Sequence, residues 1–305
     1  MKTFRALIRP RSAALSPWQA DMVFGQLCWV VRYERGAAAL EALLAHYRAG
    51  EPPLLFSNGY PGDWLPRPLL PHQPPEARRS EWVRTTTFEA LRCGLPATDD
   101  EVPNFIPGRA EPKNRVSRTT GRALPNERGT TGYQADALMH AAPQIDGSTV
   151  LDISVFVRAA DDTWAAQARD WIELLARGGY GARKSAGYGQ FSLEAWEPWS
   201  QFDAPVPAAN GFISLSHWVP AQPDPTQGQY TTLVKRGKLG EELAGSANPF
   251  KYPLLMLAAG SCFYTNGPPR PWYGRLVEHI AELPTTSVVH YGYAFAVPAR
   301  LESEP

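Results

Sequence analysis

Residues 178–191, GGYGARKSAGYGQF, put five glycines, two adjacent cations and a hydroxyl into one short loop. Gly178, Gly179, Gly181, Gly187 and Gly189 have no Cβ, so the backbone there can bend sharply and approach a ligand closely. Successive backbone N–H groups in such a turn make an anion-binding concavity. Arg183 and Lys184 add charge for a phosphate, and Ser185 adds a donor. A helix pattern precedes the loop and a strand pattern, residues 188–196, follows it. That order is the reverse of a P-loop or a dinucleotide fingerprint, where the strand comes first. The segment therefore points to a polyanion contact and away from an ordinary nucleotide pocket. A plain αβ turn with glycine at the helix C-cap accounts for one or two of these glycines. It does not account for five together with Arg183, Lys184 and Ser185.

The 305 residues suffice for two domains, and 44% hydrophobic residues suffice for their cores. Thirty Lys and Arg balance thirty Asp and Glu. With no global basic excess, a nucleic-acid site has to be a local patch. Cys28, Cys93 and Cys262 are odd in number and widely spaced. They support neither a zinc site nor a disulfide framework, and a reducing cytosol is the simpler setting. No secretory h-region is visible and no apolar run is long enough for a membrane span, so a soluble cytoplasmic protein is expected. No metal or other cofactor is expected.

Residues 2–9 read as a strand with Phe4, Ala6 and Ile8 on one face. A helix follows, with Val23, Leu27, Val30 and Val31 as its core stripe. Gly36 breaks it, and a second helix over 37–48 carries Leu40, Leu43, Leu44 and Tyr47. Proline-rich turns and short strands occupy 52–75. Residues 104–135 behave differently: Arg109, Lys113, Arg115, Arg118, Arg122 and Arg128 stand against only Glu111 and Glu127, and apolar periodicity is absent. This segment is either a solvated loop or an arm that binds phosphates. A strand over 149–158 and an amphipathic helix over 163–177 lead into the glycine loop. The first unit thus reads βαββαβ, a ferredoxin-type order in an α+β protein. Residues 198–210 form a proline- and alanine-containing linker. A strand-rich second unit starts at Gly211. It holds the basic turn Lys235, Arg236, Gly237 and Lys238, an apolar strand over 253–259, a short helix near 275–282, and a long terminal strand from Val289.

Five stretches taken together resemble the RAMP superfamily, the RNA-binding proteins of CRISPR systems. They are residues 21–29 (DMVFGQLCW), 65–71 (LPRPLLP), 113–121 (KNRVSRTTG), the glycine loop, and 289–294 (VHYGYA). Residues 235–240 (KRGKLG) and 248–251 (NPFK) fit as well. Within the superfamily the chain resembles the fourth-subunit family of the type III-A (Csm) effector complex, which holds the 5′ handle of crRNA. One departure is Lys113, where many relatives have His; either side chain donates.

The resemblance implies two ferredoxin-like domains, residues 1–200 and 211–305, with a thumb inserted at about 104–140. It implies a cap at the crRNA 5′ end, beside the large polymerase-like subunit and the backbone RAMP subunit. Target RNA would be met indirectly and membranes not at all. It also implies no catalysis by this chain. Arg183 and Lys184 are the first choice for handle phosphates. Tyr188 either stacks on a base or is a core strand residue. Lys113, Asn114, Arg115 and Arg118 suit RNA near the handle–guide boundary. Arg67, stiffened by flanking prolines, either points at RNA or is a surface arginine. Asp21 and Gln26 fit caps or core polar groups, with the cap preferred. Lys235, Arg236 and Lys238 suit RNA or a neighbouring subunit. The histidines at 46, 72, 140, 217, 279 and 290 form no recognisable nuclease motif. Metal-independent cleavage of precursor crRNA remains the rival reading, and a purely protein-binding scaffold a third.

Overall fold

The computed structural model describes residues 1–71, 80–97, 109–117, 119–124, 132–137, 141–142, 149–150, 152–283 and 287–302. The chain opens with strand β1 (Lys2–Pro10), helix α1 (Ala20–Arg48) and β2 (Leu54–Pro61). A small hairpin, β3 (Trp64–Pro66) with β4 (Trp82–Arg84), leads to α2 (Thr85–Arg92). Next come β5 (Arg109–Val116), β6 (Ala123–Leu124) and β7 (Gly132–Ala137), which pair as one antiparallel ribbon in the order β6-β5-β7. A two-residue pair, β8 (Ala141–Ala142) with β9 (Thr149–Val150), precedes β10 (Ile153–Ala159), α3 (Asp162–Gly178) and β11 (Phe191–Pro198). The rest is strands: β12 (Gly211–Ser214), β13 (Gly228–Gln229), β14 (Thr232–Lys235), β15 (Leu254–Leu257), β16 (Cys262–Tyr264), β17 (Trp272–Val277) and β18 (His290–Ala299).

Two antiparallel sheets carry the molecule. The first has the order β11-β1-β10-β2 and the second β13-β16-β12-β18-β17. In the first sheet Phe4 pairs with Val157 and Ala6 with Val155, so these residues share a face. They join Val23, Leu27 and Val31 of α1 and Ala165, Ala168 and Leu175 of α3 in one apolar cluster. Asp161 caps α3, its carboxylate accepting from the Trp164 N–H at 2.9 Å. The helix break expected at Gly36 is present as a kink, with φ 85° and ψ 173°, inside one continuous α1. Only a residue free of Cβ strain settles there easily.

The opposite face of the first sheet meets the second. Phe156 of β10 lies 4.7 Å from the Phe202 ring, which lies 6.3 Å from Phe295 of β18. Arg158 of β10 is buried and donates to the carbonyls of Pro271 (2.8 Å) and Ala296 (2.9 Å). The backbone N–H of Asn58 donates to the Leu215 carbonyl at 2.8 Å, and that of Phe56 to the Tyr291 hydroxyl at 3.1 Å. The main apolar cluster therefore runs without interruption from α3 to β18.

Two expectations change, and one element was not foreseen. Residues 275–282 are not helical: β17 covers the start of that stretch and pairs with β18, Leu276 opposite Tyr291. Gly274 permits this, since a Cβ there would stand 2.1 Å from the Gly292 oxygen. Cross-strand pairing thus overrides a local pattern that suits a helix. Helix α2 (TTTFEALR) carries no strong sequence signal. Its Arg92 is buried and donates to the carbonyls of Gln201 (2.6 Å) and Pro298 (3.3 Å). Finally, the proline- and alanine-containing segment after β11 is fixed rather than loose. Asp203 accepts from the Thr3 N–H at 2.7 Å, and Phe202 is fully buried. Among the described residues no helix is long and apolar enough to cross a membrane.

Candidate nucleic-acid interface

The glycine loop is rigid at its base and open at its tip. Helix α3 ends with the Gly179 N–H donating to Leu175 O at 2.9 Å, and Gly179 takes φ 80°. Tyr180 turns inward and stacks on Trp18, with ring centroids 3.8 Å apart. Its hydroxyl donates to Pro17 O (2.8 Å), and its N–H to Gly189 O (2.8 Å). The Gly189 N–H in turn donates to Ala13 O at 2.8 Å. The mouth of the loop is therefore laced to residues 13–18. Between the laces, residues 182–187 carry the exposed tip, built on a single 3-10 turn, Lys184–Ala186. Arg183 enters that turn in the left-handed region (φ 57°), and Gly187 leaves it the same way (φ 85°). For a side chain with a Cβ the left-handed region costs about 1–2 kcal/mol, and such strain concentrates at functional sites. The amides of Ala182, Ala186 and Gly187 are already satisfied by Ser16 Oγ, Arg183 O and Lys184 O. The tip thus offers its cationic side chains and Ser185 more than a ring of free amides.

The tip leans on helix α1. Lys184 Nζ donates to Gln26 Oε1 at 3.2 Å and makes a short ion pair with Glu241, which itself sits in the left-handed region at φ 50°. Two turns earlier, α1 begins without a side-chain cap, Gln19 occupying the cap position. The preferred cap roles of Asp21 and Gln26 are thus not the ones found. The Asp21 carboxylate is 4% exposed and pairs with Lys235 Nζ at 2.9 Å. Lys235 also donates to Gln19 Oε1. His290 of β18 sets Nε2 3.7 Å from the same carboxylate, with no hydrogen-bond partner for that nitrogen. His217 lies on the other side of Gln19, its Nδ1 accepting from the Ala259 N–H at 3.1 Å. Burial lowers both imidazoles to about 4, Asp21 opposing the shift only in part, so both are neutral at pH 7. Lys251 completes the corner, and burial lowers its ammonium below the usual lysine value.

The chain therefore brings together Lys184, Lys235, Asp21 and Gln26, which lie far apart in sequence. Arg236 and Lys238 are exposed on the adjoining turn, with Lys238 5.8 Å from the Phe250 ring. Tyr188 is buried in the loop and precedes β11 rather than belonging to it. Arg67 is not a surface arginine: it is 8% exposed, and its Nε donates to Ser80 O at 3.0 Å. Lys113, Asn114 and Arg115 lie on β5, opposite Tyr133, Gly132 and Leu124. Arg118 lies outside the described residues. Gln19, His217 and His290 were not foreseen at this corner, since they reach it from separate strands and loops and share no spacing. Lys251 had one signal, the NPFK run. Among the described residues no group of three or more His, Cys, Asp or Glu could hold a metal ion.

No family model and no curated protein matches the sequence. Solved structures do. A chain of the Csm1–Csm4 cassette crystallised with pppApA is 17% identical over the whole of both chains, with a TM-score of 0.58. A chain of the Csm3–Csm4 subcomplex in the type III-A CRISPR-Cas interference complex is 12% identical. There the match covers 98% of this chain and 100% of that one, with a TM-score of 0.62. At such identities the likeness is one of fold. What these chains share with this one is the fold, a mixed α/β architecture with few helices and antiparallel sheets.

Proposed function

We propose that this chain is a non-catalytic RNA-binding subunit of a type III CRISPR ribonucleoprotein in the cytoplasm. It anchors the 5′ handle of crRNA and joins the large polymerase-like subunit to the backbone RAMP subunits. The observation that carries this reading is the convergence of the exposed Arg183–Lys184 tip, the start of α1 and the basic 235–251 turn on one seam. Cations gathered along a seam suit a single strand, whose phosphates supply most of the affinity. The strand order β11-β1-β10-β2 with α1 and α3 on one face supports a ferredoxin-like first domain over residues 1–200. The second sheet, over 211–305, is its degenerate counterpart, and the β5–β7 ribbon lies within the segment assigned to the thumb. Solved relatives assembled with Csm1 and with Csm3 support the two protein partners.

The test is the double change Arg183→Ala with Lys184→Ala in the assembled complex. Weaker handle retention with the fold intact is expected, and unchanged crRNA protection refutes RNA contact by this loop. His217 and His290 beside Asp21 favour one further reading, metal-independent cleavage of precursor crRNA. Incubating the purified chain with repeat RNA in EDTA decides it. A handle-length product that vanishes on a single His→Ala change makes the chain an enzyme, and intact RNA leaves it a binder.

A further inference from the structure

The ribbon β14–β15 buries one face and leaves the other bare. Leu233 and Met256 turn inward to the cluster of Val219, Val277 and Ile280. Lys235 turns the same way, to Gln19 and Asp21, and Leu239 beyond it is buried. The alternate positions Thr232, Val234, Arg236 and Lys238 are all exposed. Such a period of two is that of a strand with one face in water.

The second strand completes the bare face. Val234 pairs with Leu255 and Lys235 with Leu254. Past these strands the pairing continues, with a bridge between Lys238 and Phe250. The Leu239 N–H donates to Pro249 O at 2.8 Å, and the Lys251 N–H to Gly237 O at 2.9 Å. Residues 236 and 237 there face three residues, 251–253, so the ribbon bulges between its two halves. Counting two positions from the Lys238–Phe250 bridge sets Arg236 abreast of Tyr252. The face is thus three cross-strand rows: Val234 with Leu255, Arg236 with Tyr252, and Lys238 with Phe250. Phe250 is 62% exposed and Tyr252 50%. Among the described residues the Arg236 guanidinium and the Tyr252 ring have no side-chain partner. Phe250 has one charge contact, Lys238 Nζ 5.8 Å from its ring, at the outer limit of a cation–π interaction. Contiguous exposed apolar surface of this kind marks a contact site.

Two features choose the occupant. Each ring has a cation abreast of it, and no carboxylate stands in the three rows. Glu241 and Glu242, which follow the strand, are engaged by Lys184 and, at 3.8 Å, by Arg32. The core of a protein interface is depleted in such charges. A single nucleic-acid strand needs both parts, cations for its phosphates and ring faces for its bases. The face is also continuous with the seam, because Lys235, on the inner side of the same strand, meets Asp21 in α1. Positions 250 and 252 on an extended chain stand roughly 6–7 Å apart. That spacing gives each ring one splayed base rather than a stacked pair.

We propose that Phe250 and Tyr252 form a stacking platform for two unpaired RNA bases, with Arg236 and Lys238 on the flanking phosphates. It rests on the reading that the ligand is single-stranded RNA. To the phosphate contact at the Arg183–Lys184 tip it adds base contact on the outer side of the ribbon.

The experiment is fluorescence anisotropy on the purified full chain across a salt series, with a mixed-sequence RNA and an abasic strand of the same length. Phe250→Ala and Tyr252→Ala should each weaken mixed-sequence binding about fivefold or more. Their log–log salt slopes, their affinity for the abasic strand and their melting temperatures should stay at wild-type values. Phe250→Trp should bind at least as tightly as wild type. Arg236→Gln should lower the slope by about 0.7 on both strands. Wild-type affinity for mixed-sequence RNA in both alanine variants overturns the platform, and so does an equal loss on the abasic strand. Unchanged RNA affinity with failed assembly of the double alanine variant into the complex assigns the face to a protein partner and overturns the platform as well. Failure of the wild type to bind RNA overturns the RNA reading itself, and the platform with it.

Discussion

The five loop glycines are not equivalent, and Gly189→Ala measures the difference. At Gly189 φ is +67°, and a Cβ would fall 1.9 Å from the Tyr180 oxygen and 2.9 Å from its carbonyl carbon. The Tyr180 backbone has little room to retreat. Its ring is stacked on Trp18, and its N–H is bonded to Gly189 itself. The left-handed conformation costs a Cβ-bearing residue about 1–2 kcal/mol. Forcing extra atoms into packed structure adds about 1–3 kcal/mol. The total is about 2–5 kcal/mol, a large share of a typical folding stability of about 5–15 kcal/mol. Gly187 has φ +85° but nothing within 4 Å, so Gly187→Ala incurs the conformational term alone. Gly178 closes α3 with open space around it and no positive φ. Gly178→Ala is therefore neutral, or stabilising by up to about 1 kcal/mol. Urea unfolding followed by tryptophan fluorescence gives all three on one scale. A Gly189→Ala loss within about 0.5 kcal/mol of the Gly187→Ala loss refutes the close-approach reasoning.

Acid should unfold the chain through two histidines. His217 and His290 have folded-state values of about 4 against the ordinary histidine value of 6.5, so between those limits the unfolded chain binds protons the folded one does not. Their contribution is complete above about pH 6.5 and falls with acidification toward pH 4, by up to about 1.4 kcal/mol per pH unit for each histidine. Denaturant midpoints at pH 7, 5.5 and 4.5 read the slope, and His290→Phe should remove one histidine's share of it; an unaltered slope rejects the assignment. At the loop tip, Glu241→Gln relieves Lys184 of its carboxylate partner. A partly exposed ion pair is worth about 0.2–1 kcal/mol, so RNA affinity by anisotropy should rise up to about fivefold, whereas weaker binding would show that Glu241 holds the loop in its binding shape.

Much of the first sheet was legible because its periodicities are local. Val23, Leu27 and Val31 announce α1 through their spacing alone, and Gly36 marks the kink by composition. The glycine loop was legible for the same reason. What the sequence hid was pairing at a distance. His290 and Asp21 are 269 positions apart and share only a corner. Strand β18 is buried on both faces, its odd residues in the main cluster and Ala294 and Ala296 in another, so alternation does not reveal which face matters. Arg67, between two prolines, and Arg92, at the end of a short helix, are both buried. No local pattern encodes the carbonyls that Arg92 satisfies, because Gln201 and Pro298 come from elsewhere.

The segment around Phe202 has a mechanical consequence. A tether would let two lobes swing apart and clamp shut on a guest. Here that stretch is riveted, Asp203 to the first strand and Gln201 to Arg92. A nick in it would leave both pieces gripping one another. The two sheets are therefore pinned to one another by polar links as well as by the apolar cluster they share.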